Sequence, residues 1–364
     1  MRQRPSPRRR SESAESSSFP ETVAALLAKR DSEAAAALQQ LTLGEDKAVA
    51  KAARRALFLL KQEGIEPPPL ENRGAGLLAA TRPVITLNAF MTSLSGQGDY
   101  YLVFLREDPS AGSPMHITYL LNDRLGVLDL VGRKVSRNDM EEILEGWRSE
   151  KKGWLFAGVP ADYARFLVAG SAALNRASRK LLPEGFYHLT EMVGAPERDY
   201  PESPVYSLLA AEDVQGDYSI SHDPVRFLEE RPMRSWFVEM EEILPWKTRY
   251  VEAMQTRLIL SQAQQAQMGA RVLDEATDAL FSPDAIQLIR RRLEMNALVF
   301  HYAGSETLAR QSLYHALSLN PERAAHLQPL LTAMTRRTIE QILALEAQEE
   351  ADRRRTSPDI IRRI

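Results

Sequence analysis

Between Asp46 and Gly64 the chain spells out one helix, and Pro67-Pro68-Pro69 prevents its continuation. Val49, Ala52, Ala53, Ala56, Leu57 and Leu60 recur at offsets of three, four, seven, eight and eleven residues. That spacing puts them on one stripe of a helix, with Lys47, Lys51, Arg54 and Arg55 on the opposite side. The stripe predicts a tightly apposed partner helix, and stacked helix pairs serve as binding surfaces more often than as reaction vessels.

The neighbouring text supplies the partners. Pro20 can open a first helix, with Val23, Leu26 and Leu27 inward, and an alanine-rich second helix runs from about Ser32 to Leu43. Asp46, Val49, Ala52, Ala53, Ala56, Leu57 and Leu60 resemble the second helix of a HEAT repeat, with residues 33–43 as its first. Residues 19–65 therefore read as a HEAT-like helical module. Ahead of it, residues 1–18 are Arg, Ser, Pro and Glu with little to bury, the pattern of a disordered, solubilising tail. Residues 66–82, with three prolines and Gly74-Ala75-Gly76, read as a linker.

The period then changes to two. Ile85, Leu87, Ala89 and Met91 alternate with Thr86, Asn88, Phe90 and Thr92, a half-buried strand. Ser95-Gly96-Gln97-Gly98 turns the chain. Tyr100 to Leu105 is apolar throughout, which predicts a central strand. Met115 to Leu121 and Leu125 to Val131, joined by Asn122-Asp123, complete a four-stranded antiparallel meander, and Trp154-Leu155-Phe156 offers one more short strand. Such a sheet needs a helical cover. Ser136 to Arg148, with Met140, Ile143, Leu144 and Trp147 inward, supplies it. A helix opened by Pro160 and ended by Pro183 follows, with the stripe Tyr163, Phe166, Leu167, Gly170, Leu174, Ala177 and Leu181. Residues 183–235 are poorly periodic and predict short helices and ordered loops pinned by Tyr187, Tyr200, Tyr206 and Tyr218. The α+β module spans 83–235.

From 236 to 348 the pattern is that of a C-terminal helical domain, followed by a charged tail at 349–364 with Arg353-Arg354-Arg355. Trp236, Met240 and Ile243 lead to Pro245, and a long polar helix from about Lys247 runs through Ser261–Gln267. Ser282-Pro283 caps the next helix, whose stripe is Ile286, Ile289, Leu293, Ala297 and Phe300. Gly304 stops it. Its partner carries Leu308, Ala309, Ser312, Leu313, Ala316 and Leu317, and Asn320-Pro321 ends the pair. Leu293, Ala297, Phe300, Gly304, Ala309, Leu313, Ala316 and Pro321 resemble one tetratricopeptide repeat over 283–321, without the family's tryptophan and with Asn296-Ala297 in place of its Leu-Gly step. A last helix covers about 328–348. The expected fold class is α+β, mainly helical: an N-terminal helical-hairpin module, a four-stranded antiparallel meander covered by helices, and a C-terminal helical-hairpin domain.

Composition bounds the chemistry. The 364 residues contain no cysteine, which excludes disulfides, thiolate catalysis and Cys-ligated metals. A net charge of −3 gives no global attraction to nucleic acid or acidic lipid. No apolar stretch follows the basic N-terminus and no run reaches membrane-span length, so the expected location is cytoplasmic, with no membrane partner. There is no P-loop, nucleophile elbow, zincin or calcium-loop motif. His116, His188, His222, His301, His315 and His326 show no metal-ligand spacing. His222-Asp223 reads as a helix start, and Glu239, Glu241 and Glu242 and the triplet Arg290-Arg291-Arg292 read as solvated faces. The expectation is no assigned catalytic, cofactor-binding or metal-binding residue and no cofactor.

The function expected from this pattern is a non-enzymatic interaction or scaffold protein with a protein partner. One alternative is a small-ligand binder or enzyme with a site between the sheet and its helices, built on Asn88, Thr92, His116, Thr118 and Asn122, which otherwise face water. Another, less favoured, is a nucleic-acid or ribosome-associated role through the arginine-rich termini. Trp147, Trp154, Trp236 and Trp246 sit beside charges, as rings between domains or along a peptide groove do.

Overall fold

The computed structural model describes residues 20–42, 44, 46–65, 85–110, 112–149, 152–255 and 261–356. The stretches read as the tail 1–18 and the linker 66–82 lie outside them. Two compact units divide the chain, Met1–Arg82 and Pro83–Ile364.

The first unit holds α1 (Glu21–Lys29), α2 (Ser32–Leu41) and α3 (Lys47–Gln62). Asp31 opens α2 by accepting the Ala34 N–H at 2.6 Å, and Asp46 opens α3 by accepting those of Ala48 and Val49. Ala53, Ala56 and Leu60 of α3 are wholly buried against Ala35 and Leu38, and Val23 of α1 closes the third side. The α3 stripe is therefore consumed within a three-helix core, while Lys47, Lys51, Arg54 and Arg55 are exposed.

The second unit is built on a five-stranded antiparallel sheet of order β4-β3-β2-β1-β5. Its strands are β1 (Thr86–Thr92), β2 (Asp99–Glu107), β3 (Met115–Asn122), β4 (Gly126–Lys134) and β5 (Phe156–Val159), the last pairing with β1 outside the meander. β2 is the middle strand. Leu102 and Phe104 face one side with Ile117 and Tyr119, while Val103 and Leu105 on the other side are also buried, which explains a strand with no polar period.

The helix expected as cover, α4 (Arg137–Arg148), begins at the Ser136–Asp139 capping box but fully buries no residue from Asn138 to Arg148. It rests Trp147 on Phe156 at the sheet edge, ring centroids 5.6 Å apart. The cover is α5 (Ala161–Ala177), and its buried side differs from the expected stripe. Of that stripe Tyr163 is buried and Phe166 and Leu167 pack against the cores, but Ala164, Val168, Ser171, Ala172 and Asn175 also turn inward, while Leu174 is 37% and Leu181 95% exposed. Close approach to the sheet selects small residues, and Asn175 both accepts from the Val127 N–H (2.7 Å) and donates to the Val127 carbonyl (3.1 Å).

Residues 183–235 form α6 (Phe186–Val193), α7 (Ala211–Gln215), α8 (Pro224–Glu229) and two short 3-10 turns. Tyr200 and Tyr206 pack as expected of pins. Tyr187 and Tyr218 do not, being 75% and 90% exposed.

The remaining helices are α9 (Met240–Met254), α10 (Gln262–Leu280), α11 (Pro283–Tyr302), α12 (Glu306–Ser318) and α13 (Pro329–Thr356). The single long helix expected after Lys247 is two, α9 and α10, which pack together where Gly269 leaves room for Met254 and Tyr250; Pro245 lies inside α9. α13 continues through Arg353–Arg355, so residues 349–356 are helix and not tail. The boundary expected at 235/236 does not separate two cores. Tyr163, Val205, Phe227 and Trp236 share one cluster with Leu293, Phe300, Leu313 and Leu331. Among the described residues no helix is long and apolar enough to cross a membrane.

Candidate functional site

The β1–β2 turn is tied to distant parts of the second unit by several buried side-chain bonds. The Leu94 N–H donates to Asn296 Oδ1 at 2.6 Å, and the Leu94 carbonyl accepts from Trp236 Nε1 at 3.1 Å and Asn296 Nδ2 at 3.3 Å. Arg292, 6% exposed, donates to the carbonyls of Gly96 and Gln97. It also grips Asp123 through Nε–Oδ2 (2.6 Å) and Nη2–Oδ1 (2.8 Å), a two-pronged charge-assisted pair. Burial pushes the Asp123 carboxyl above the usual carboxylate range, and the Arg292 hydrogen bond opposes that rise. The two turn glycines are required by this packing. A Cβ on Gly96 would lie 2.6 Å from Trp236 Cα, and Gly98, at φ +87°, would drive one into Asp123 and Arg292.

Arg292 was expected on a solvated face. The sequence does hold a signal for it: Arg292 lies three residues after Ile289, and Asn296 four residues after Arg292, so both flank the buried stripe of α11. The other two arginines of the triplet differ. Arg291 is exposed, while Arg290 pairs with Glu294 at 3.2 Å, whose carboxylate also accepts the Tyr206 hydroxyl at 2.7 Å.

Beside the fixed turn opens a cleft of about 630 Å³. Tyr101 and its register partner Leu120, with Leu128, supply its apolar surface. Trp154 walls it, with Tyr101 5.6 Å from Trp154 and 5.0 Å from Trp147 between ring centroids. Lys152, Arg231 and Arg234 also line it, and Lys152 Nζ lies 5.6 Å from the Trp154 ring centroid. Among the described residues its one carboxylate, Asp99, accepts from Asn122 Nδ2 at 2.7 Å. Serine and threonine hydroxyls complete the lining: that of Ser235, and three that already accept a main-chain N–H, Thr92 from Tyr101 (2.9 Å), Ser93 from Leu155 (3.1 Å) and Ser95 from Asp99 (3.1 Å).

The five polar residues singled out on the strands neither converge on one site nor all face water. Asn88 is exposed and Thr118 half-buried, whereas Thr92, His116 and Asn122 are buried. Thr92 lines the cleft, and Asn122 braces the turn by donating to the Gln97 carbonyl at 3.0 Å. His116 lies elsewhere on the sheet; burial, with Arg133 nearby, lowers its pKa. Trp236 is wholly buried rather than half-buried, and Trp246 lies under the Arg249 guanidinium, 4.6 Å away. The acidic trio is exposed, with Glu239 3.6 Å from Arg124. Asp223 starts α8, as its position before Pro224 predicts.

His222 stacks on Tyr314 at 3.6 Å, and His315 on α12 packs against Phe227 at 4.6 Å. His301 pairs with Glu306 at 2.9 Å and His326 with Asp278 at 2.7 Å. Among the described residues no group of three or more metal-ligating side chains is assembled.

Compared with known proteins, the chain matches no family model, no curated protein and no solved structure. The likenesses to HEAT and tetratricopeptide repeats thus rest on the residues that carry them.

Proposed function

We propose that this chain is a binding protein and that its recognition site is the cleft beside the β1–β2 turn. The supporting observation is the pairing of a rigid frame with a mixed aromatic, polar and cationic lining. Buried bonds from Arg292, Asn296 and Trp236 fix the turn, and next to it lie the rings of Tyr101 and Trp154, the exposed Lys152 and a set of serine and threonine hydroxyls. A cleft of about 630 Å³ falls in the range of small-molecule sites, which combine apolar walls with a few placed polar groups. This reading follows the small-ligand alternative in place of the protein-interaction role expected first, and moves binding off the helical hairpins. Their stripes are occupied by their own cores, at Ala53 and Ala56 in the first unit and at Leu293, Ala297 and Leu313 in the second.

The test is a ligand-observed NMR screen of a fragment library of mixed charge against the full chain and against Leu128→Trp, which fills the cleft from a partly exposed strand position. The proposal expects hits that compete for one site and vanish in the filled variant. Hits that persist there, or no hits at all, would overturn it.

A further inference from the structure

We infer that the cleft selects a small oxyanion carried on a flat ring, a carboxylate or phosphate attached to an aromatic body; this rests on the cleft being the recognition site. The inference comes from following the hydroxyl protons. A serine or threonine hydroxyl has one proton to give and two lone pairs to receive. Thr92, Ser93 and Ser95 each receive a backbone N–H, and none of the hydrogen bonds among the described residues uses their protons. The main chain thus holds three hydroxyls as acceptors, those of buried Thr92 and Ser93 and half-buried Ser95, and the proton of each remains to be matched by an acceptor. An occupant rich in acceptors satisfies them; a cation, which has none to offer, does not.

Charge adds to the same preference. Among the described lining residues, Lys152, Arg231 and Arg234 stand against one carboxylate, Asp99, which is already engaged by Asn122. Lys152 is exposed and makes no ion pair among the described residues; its ammonium stands near the face of Trp154 instead. Hydrogen bonds from ionised donors to an oxyanion are stronger than neutral ones, so these groups reward a carboxylate or phosphate over its amide. The body of the ligand is set by the other wall. Trp154 and Tyr101, tilted at 50° to each other, and the side chains of Leu120 and Leu128 offer flat apolar contact. The size of the cleft suits one such molecule rather than a folded partner.

The experiment titrates the full chain by calorimetry with indole-3-acetate, indole-3-acetamide, tryptamine and phenyl phosphate, at low and high NaCl, and repeats the series with Lys152→Glu. The amide keeps the ring and loses the charge; the amine reverses it. Phenyl phosphate separates a phosphate preference from a carboxylate one. The expected result is that one or both acids bind at least tenfold tighter than amide and amine. Raising the salt should remove most of that advantage. Lys152→Glu should weaken the acids about tenfold while leaving the amide within twofold. Equal binding of all four probes would overturn the anion preference while leaving the cleft as the recognition site. Loss of every probe, together with an empty fragment screen, would remove both.

Discussion

Arg292 shows how one side chain can define a region. Its guanidinium satisfies two carbonyls of the β1–β2 turn and one carboxylate from the β3–β4 turn, at almost no exposure. Removing one member of a buried ion pair leaves the other uncompensated, at a cost of about 3–5 kcal/mol. Arg292→Ala should therefore lower stability by about that amount in urea denaturation, more than the exposed neighbour Arg291→Ala, whose effect should stay within about 0.5 kcal/mol. A second residue-scale prediction concerns acid. Burial, with His222 nearby and Asp223 opposing only weakly, pushes the His315 imidazole down from 6.5 to about 4. The unfolded chain takes up that proton near pH 6.5 and the folded one only near pH 4, so protonation favours unfolding. Its contribution to stability is complete above about pH 6.5 and is lost as pH falls toward 4, by roughly 3 kcal/mol in all. His315→Phe, which keeps a flat ring against Phe227, should flatten that part of a stability–pH curve; an unchanged curve would contradict the assignment.

At the scale of elements, helix positions and strand periods were largely legible, and errors came where a polar or small residue carried the packing. α11 and α12 bury the stripes their spacing announces, because aliphatic residues there meet other helices. α5 was misoriented because its large apolar residues suggested one face while sheet contact required another. Ala164, Ser171 and Ala172 let the helix approach, and Asn175 closes the unpaired backbone of Val127 at the start of β4. Asn175→Ala should orphan both Val127 groups and cost about 1–3 kcal/mol, readable in thermal unfolding, with faster amide exchange at Val127. Arg292 and Asn296 were hidden for the same reason: a charged or amide side chain on the flank of an apolar stripe reads as solvent-facing until its distant partners are known. Those partners lie 169 to 202 residues away in sequence. The cleft itself was legible only in Thr92 and Trp154, because its walls come from segments separated along the chain.

At the scale of the molecule, the expected division at 235/236 gives way to a single second unit. Trp236 illustrates why: its ring is buried in the core shared with α11 and its Nε1 donates to the carbonyl of Leu94. A fragment ending at residue 235 would expose Tyr163, Val205 and Phe227 and leave the sheet's turn without Arg292. Residues 83–235 expressed alone should lack a cooperative thermal transition, whereas 83–364 should retain one; a cooperatively folding 83–235 fragment would contradict the shared core. The same integration places the cleft between the sheet, residues 152–154 and residues 231–235, beside a turn that α11 holds through Arg292 and Asn296, so its shape depends on the whole unit.

The most direct test of the cleft as the recognition site uses the four tryptophans as reporters. In 5-fluorotryptophan-labelled protein titrated with indole-3-acetate or phenyl phosphate, followed by fluorine NMR, the resonances of Trp154 and its neighbour Trp147 should move saturably. Those of buried Trp236 and distant Trp246 should hold still. A spectrum in which Trp154 is unmoved by both acids, or in which all four resonances drift together without saturation, would contradict the account.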